Sequence, residues 1–486
     1  MRKLFCVFLS AAVLAACLPA LLFAGCANAA SNISYEIECE FDGETVTGKE
    51  KVVFKNFTDN AFSELKFQLY PNAFRKGAVF SPVSAQYYYQ SYKWGESYGD
   101  INVSGVKVNG ADAETAVGGS DMNILKVKLT ENLFPDETVT VEMDFNVKLA
   151  KAIARTGINS DTVNLANFYP VLCGIENGGF YECVYYANGD PFFSDPADYS
   201  VTFTCDGKYT VAASGRLSEE TAAGDKRVRK FGISSARSFA MVLSEKYKVL
   251  EGSAGETEIL YYYYSDGDPE GSLLAAKNAL TLFTDKFGAY PYRTFTVAET
   301  PFIQGGMEFT ALVFISDALE DKAYKEVIVH ETAHQWWQTT VGNNEIKHPF
   351  IDEGLAEYSV VLFYENFPEY GFTREELINS SEQTFKVFCS VYKKIVGNAD
   401  TSMLRSVPEY SGEYEYVNIC YVKACIMFDY LRKTIGDELF FKGLKRFYVE
   451  NAFKTATPDS LVGAFERAGA NSNGFFQTFF DGKEII

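Results

Sequence analysis

The sequence predicts a two-part molecule, an N-terminal all-β domain over residues 31–249 followed by a mainly helical α+β domain over residues 250–486. Three observations carry that reading. Six stretches between Ile33 and Tyr247 alternate apolar and polar residues with the two-residue period of a half-buried strand. Near residue 250 the pattern changes, first to a strand, helix and strand in succession and then to runs of helical period. Within those runs residues 330 to 337 read HETAHQWW, in a chain with only three histidines.

At the start, Arg2 and Lys3 precede an apolar run over residues 4–24, the layout of a secretory signal, so residues 1–29 read as a leader and the protein as exported. Ala27, Asn28 and Ala29 suit a signal peptidase, whereas Ala24, Gly25 and Cys26 have the form of a bacterial lipobox end that would carry a lipid anchor on Cys26. Leu14 to Cys17 form a second, shorter candidate box. A freely secreted form and an uncleaved, membrane-anchored form start from the same kind of sequence, so the expected place is extracellular or the outer face of the bacterial cytoplasmic membrane. Of ten cysteines, Cys6, Cys17 and Cys26 fall in this leader. The other seven are odd in number and irregularly spaced, with no Cys-x-x-Cys pair, which excludes a disulfide framework. Cys173 with Cys183 is the best-placed single bridge, and buried thiols are the ordinary role for the rest.

The strand-like stretches are ISYEIECEF, KEKVVFKNF, ELKFQLY, INVSGVKV, NILKVKL and TVTVEMDFNV, with Asp42-Gly43 and Asn109-Gly110 as turns. The tracts Tyr87 to Tyr89 and Tyr261 to Tyr264 read as strands packed on a core, with the lining of a peptide cleft as the other reading. Beyond residue 250, EILYYYY is a strand. Asp268-Pro269 opens a helix running to about Phe287, and TFTVAET leads as a strand into GGMEF. From Lys322 onward the pattern is helical, with Gly436 and Thr457-Pro458 as boundaries. The formal charge is −20, two units more negative without Arg2 and Lys3, which argues against nucleic acid or an anionic membrane surface as a partner.

His330 and His334 are four apart, so a helix places both imidazoles on one face, where they can grip one metal ion. Glu331, between them and to one side, can reach a water on that metal without being a ligand, the arrangement used by HExxH zinc peptidases. Val327, Val329, Trp336 and Trp337 give the helix apolar flanks, Asp321 is its candidate N-cap, and Gly342 with Asn343 and Asn344 is its expected stop. A buried helix bearing these polar groups must give them partners, and a metal provides them. Glu353 and Glu357 lie four apart on a following helix that Pro368 ends, and Glu353 comes 19 residues after His334.

That spacing, with the phrase DEGLAEY, resembles the gluzincin zinc aminopeptidases, the aminopeptidase N and leukotriene hydrolase type, in a short, exported bacterial form. The resemblance implies a thermolysin-like catalytic domain, one Zn2+ per chain in the cleft between the domains, Glu353 as third metal ligand, and Glu357 as an acceptor that holds a ligand imidazole. Gly305, Gly306, Met307 and Glu308 resemble the family's exopeptidase loop, in which Glu308 would bind the α-amine of a peptide. Phe309 stands where the family has asparagine. EYVNICYVKACIMFDYL resembles the segment whose tyrosine, here Tyr421, donates to the oxyanion, with Tyr416 a second tyrosine nearby. Glu176 and Glu182 are candidates for a second acid on the amine. The expected function is therefore a zinc-dependent aminopeptidase acting on peptides, with Glu331 as general base. An endopeptidase or other hydrolase on the same site, and a non-catalytic peptide-binding protein of the same fold, are the alternatives.

Overall fold

The computed structural model describes residues 31–483, so the leader and the calls on Cys6, Cys17 and Cys26 lie outside the described residues. The first half is all β. Its largest sheet has eight strands in the order Arg216–Ala223, Lys226–Ala236, Ala197–Asp206, Ile33–Phe41, Thr45–Lys55, Thr138–Lys148, Asp100–Val108 and Ala111–Asp112. One neighbouring pair is parallel, Ile33–Phe41 beside Ala197–Asp206, and the others are antiparallel. Alternation along Ile33–Phe41 buries Ile33, Tyr35, Ile37, Cys39 and Phe41 on one face. Those side chains meet two four-stranded sheets, one built on Phe62–Gln68 and Ile124–Leu133, the other on Val163–Ala166 and Ala240–Ser244.

The sheet changes between Ser244 and Lys248. Lys248–Ala254 joins a five-stranded mixed sheet in the order Lys248–Ala254, Thr257–Tyr263, Thr294–Thr300, Leu312–Ser316, Gly306–Met307. Helix Pro269–Lys286, capped by Asp268 accepting from the Gly271 amide (3.2 Å), and helix Asp321–Ala333 pack with this sheet in one core. Helices Phe350–Asn366, Arg374–Ile395, Ala424–Ile435, Asp437–Asn451, Pro458–Ala468 and Asn473–Phe480 complete it.

The domains share a polar seam. Thr162 and Thr300 hydroxyls lie 2.7 Å apart, and Thr300 donates to Asn164 Oδ1 (2.8 Å). Arg237 reaches from the β domain to donate to the carbonyls of Ser194 (2.8 Å) and Lys454 (2.7 Å).

Four local expectations are corrected. Glu320, not Asp321, is the residue before the first turn of the HETAH helix, and no side chain caps that end. The helix stops at Ala333 rather than near Gly342. Thr339 and Thr340 hydroxyls take the Gln335 carbonyl (2.8 and 2.7 Å), and Gln338 turns to φ 132°, so the chain leaves the helix at once. Gly342 serves another purpose, since a Cβ there would sit 2.1 Å from Arg237 Cζ. Cys173 and Cys183 are both free and buried, and the Cys173 thiol faces Gln68 Oε1 at 3.9 Å. Tyr87 to Tyr89 form no strand: they cross from a 3-10 turn into a four-residue helix, with Tyr89 86% exposed.

Helices Phe350–Asn366 and Ala424–Ile435 approach closely at Gly354, where an added Cβ would lie 2.4 Å from Ala424 Cβ. Gly354→Ala gains about 1 kcal/mol of helix propensity but overpacks the contact at a cost of about 1–3 kcal/mol. The net expectation is a lower melting temperature in a thermal scan. A melting temperature at or above that of the parent would show that the helix pair is not set by this contact.

Candidate metal centre and cleft

His330 sits in the last turn of helix Asp321–Ala333 and His334 at its C-cap, so the four-residue spacing sets their rings edge-on, 4.8 Å apart. The turn that follows is pinned by its tryptophans. Trp336 packs on Phe283 and Trp337 on Phe287, with Trp336 Nε1 donating to the Gly288 carbonyl (2.9 Å). Gln335 Oε1 accepts from the Ala311 amide (2.9 Å), which ties the helix end to the start of strand Leu312–Ser316.

The donor atoms face one another. His334 Nδ1 lies 2.9 Å from the Trp337 carbonyl. A carbonyl only accepts, so Nδ1 carries the proton and Nε2 presents a lone pair. His330 Nδ1 lies 3.3 Å from Glu357 Oε2, which fixes that ring in the same way. The two Nε2 atoms are then 3.1 Å apart, and Glu353 Oε2 is 3.4 Å from one and 3.3 Å from the other. Ligands about 2.0–2.1 Å from a tetrahedral metal stand roughly 3.3 Å apart, so the set has the spacing of three zinc ligands. Glu353 Oε2, although buried, has no hydrogen-bond partner, the mark of a donor atom meant for a cation. Burial raises the Glu353 carboxyl, but the two imidazoles outweigh it and hold it down at about 2.

Glu331 is buried beside this trio, and its Oε2 is unpartnered. Burial pushes its carboxyl up to about 7 against the pull of His330 and His334. Gly306 explains part of its placement, because a Cβ at Gly306 would meet Glu331 Oε1 at 2.2 Å. Gly305 turns the chain at φ 97°, Gly306 pairs with Ile315 and Met307 with Phe314, and this edge strand delivers Glu308 to a cleft of about 310 Å3. Glu308 is buried, which raises its carboxyl well above the usual range, with Asp190 adding to the rise. Phe309 points away, against Phe314.

Tyr421 lines the same cleft, its ring 6.0 Å from that of His330 and nearly parallel to it. Tyr416 lies edge-on to it at 5.8 Å. Tyr421 falls in a π-helical turn, Asn418–Lys423, an insertion common at functional sites.

Glu176 and Glu182 are not in the cleft. Glu176 pairs with Lys347 and accepts from Asn344 Nδ2 (3.0 Å), and Glu182 pairs with Lys66 at 2.7 Å. The second acid there is Asp190, which sequence reasoning missed. It comes from the β domain, is 8% exposed, and is held by Arg155 at 2.5 Å. Arg155 in turn donates from Nε to the Met307 thioether Sδ at 3.1 Å and from Nη2 to the Gly189 carbonyl at 3.3 Å, so it clamps the β domain to the Gly306–Met307 strand. A larger hollow of about 610 Å3 on the β domain, walled by Lys51, Asp198 and Arg216, brings no such group of ligands together.

A β domain thus stands over an HExxH helix, with Glu353 on the next helix facing its two histidines. Residues 272–479 match the Peptidase family M1 domain. Aminopeptidase M1-A of Oryza sativa subsp. japonica is 26% identical over 209 residues, 40% of this chain and 23% of that protein. Aminopeptidase N of Streptomyces lividans is 24% identical over 214 residues, 41% of this chain and 24% of that protein. The chain thus spans about a quarter of the length of these relatives. The crystal structure of an M1 zinc metallopeptidase from Deinococcus radiodurans has the same fold, with a TM-score of 0.67 at 16% identity over 94% of this chain and 96% of that one. A mutant form bound to a Tyr-Ser-Ala substrate matches with a TM-score of 0.66, also at 16% identity and over the same shares of both chains. Over residues 272–479 the chain is thus similar to the Peptidase family M1 domain, and its overall fold is that of the solved M1 structure.

The Arg155–Asp190 pair predicts an asymmetry. Arg155→Met leaves a buried carboxylate unpaired and should lower stability by about 3–5 kcal/mol in urea unfolding, whereas adding Asp190→Asn should restore a good part of it. Two additive losses would show that the pair is not coupled.

Proposed function

We propose that the chain is a zinc metallopeptidase that removes single residues from the N-terminus of peptides. The observation that supports it best is the convergence in one cleft of three metal-ligating atoms, an unpartnered Glu331 carboxylate and two further buried acids, Glu308 and Asp190. The names of the relatives, aminopeptidases and a zinc metallopeptidase, point the same way.

His330, His334 and Glu353 would hold one zinc ion per chain, which when bound polarises a scissile carbonyl and acidifies a water. Glu331 takes the proton of the attacking water and passes it to the leaving amine. Tyr421 donates a hydrogen bond to the oxyanion as its charge develops. Glu308, backed by Asp190, pairs with the α-ammonium of the peptide, which measures one residue from the chain end and sets the first peptide bond over the metal. Gly305, Gly306 and Met307 present the edge strand along which the peptide lies. Glu357 keeps the His330 ring oriented.

Metal analysis should give close to one zinc per chain, lost in His334→Ala. Glu331→Gln should keep the zinc and lose turnover by several orders of magnitude. The deciding comparison is a peptide with a free N-terminus against the same peptide acetylated. Blocking the amine leaves a buried carboxylate unpaired, a penalty of roughly 1–3 kcal/mol, so kcat/KM should fall at least tenfold. Equal cleavage of both, or internal cuts seen by mass spectrometry, would make the protein an endopeptidase.

The place of action proposed is outside the cytoplasm, with a lipid on Cys26 holding the chain to the outer face of the membrane; the basic and apolar residues ahead of Cys26 support it. Metabolic labelling with palmitate should mark the parent and not Cys26→Ala. Label on neither protein would leave a secreted or uncleaved form.

A further inference from the structure

Glu308 lines two hollows. One is the cleft, and the other is a small hollow of about 20 Å3 that it shares with Glu345, Asn343, Gln338 and Arg237. That volume holds one water or one monatomic ion. We propose that Glu308 and Glu345, which line this inner hollow, form with the neighbouring Asp352 a second cation site, which takes a hard divalent ion of the calcium or magnesium class.

The three carboxylates offer oxygens that all lie within 4.8 Å of one another, and each residue is at least nine-tenths buried. Oxygen ligands about 2.3–2.6 Å from a calcium ion are separated by at most roughly 5 Å, so one ion between them reaches all three without moving the backbone. All three donors are oxygen, which selects a hard cation over zinc and sets this site apart from the His330, His334 and Glu353 trio.

A second observation points to a missing partner. Glu308 Oε1 and Glu345 Oε2 are both buried without any hydrogen bond, although the large majority of buried side-chain polar atoms in proteins have one. The neighbouring amides orient the carboxylates by their other oxygens: Gln338 Nε2 donates to Glu345 Oε1 (2.5 Å), and Asn343 Nδ2 donates to Asp352 Oδ1 (2.8 Å). Arg237, the basic side chain on the hollow, uses its two terminal nitrogens on the carbonyls of Ser194 and Lys454, and its buried Nε donates to neither Glu308 nor Glu345, so both acids keep an oxygen without a partner.

A divalent ion would leave one net negative charge on the three acids, which Glu308 can offer to the cleft as a carboxylate. This consequence rests on the reading of Glu308 as the amine anchor. The ion site itself does not, and metal counting tests it separately.

The test uses the full chain with its zinc, dialysed free of other metals and then titrated with calcium chloride or magnesium chloride. Metal retained after desalting is counted by mass spectrometry, and the melting temperature is followed. The expected result is one retained calcium or magnesium per chain beyond the zinc, with a rise in melting temperature. Glu345→Gln and Asp352→Asn should each lose that ion and the rise while keeping one zinc. His334→Ala should lose the zinc and keep the second ion. Two variants guard against one failing to fold. No retained ion and no thermal shift in the parent with either salt, as a water beside Arg237 and protonated acids would give, overturns the proposal. So does retention of the ion by both carboxamide variants.

Discussion

Six carboxylates, those of Asp190, Glu308, Glu331, Glu345, Asp352 and Glu353, are buried around one cleft, and each of their residues is no more than 8% exposed. Removing a carboxylate from water costs several kcal/mol unless a cation, a proton or several donors replace the lost hydration. Two imidazoles and two guanidiniums, of Arg155 and Arg237, face these six acids. The rest of the structure is arranged to keep the group together, while Glu308, Glu331 and Glu345 each keep a buried oxygen without a hydrogen bond.

No single element can carry such a set, because like charges on one helix face or one strand repel without relief. The acids therefore arrive from different directions. Asp190 comes from the β domain, Glu308 from beside a sheet edge, Glu331 from one helix, Asp352 and Glu353 from the first turn of the next, and Glu345 from the loop between those helices. The seam between domains then becomes the wall of the site. This accounts for the buried arginines that cross it: Arg155 reaches Met307, and Arg237 reaches Lys454. Glycines stand where the walls close most tightly, Gly306 against Glu331 and Gly342 against Arg237, since any side chain there would meet the atoms being positioned.

What could be read from the sequence follows from range. The His330, Glu331 and His334 relation is local, because one turn of helix fixes it, and the alternation of Ile33–Phe41 is local in the same sense. The all-β first half and the approach of His330, Glu331 and His334 are legible for that reason, whereas Glu353, 19 residues further on, is reached only through the family resemblance. Asp190 is not. It lies in a loop without period, and its role depends on Arg155, 35 residues away, and on a helix in the other domain. Glu176 and Glu182 look equally acidic in sequence, yet lysines at Lys347 and Lys66 hold them outside the cleft. The end of the HETAH helix is hidden for a different reason: hydroxyls of Thr339 and Thr340 compete for a backbone carbonyl, and helical periodicity carries no trace of that.

Phe309 shows how a departure from a family pattern can be structural. Past the edge strand Gly306–Met307, Glu308 enters the cleft while Met307 and Phe309 pack into an apolar cluster. Both are buried there with Phe302, Phe314 and Leu312. An asparagine in that place would put an amide among these apolar side chains and would need partners for it. The phenylalanine needs none and adds an edge-on contact with Phe314 at 4.9 Å. Its side chain acts on the cleft only through the backbone it anchors, and that backbone is the one that carries Glu308. A change at this position therefore alters how firmly the acid is held rather than which groups line the cleft.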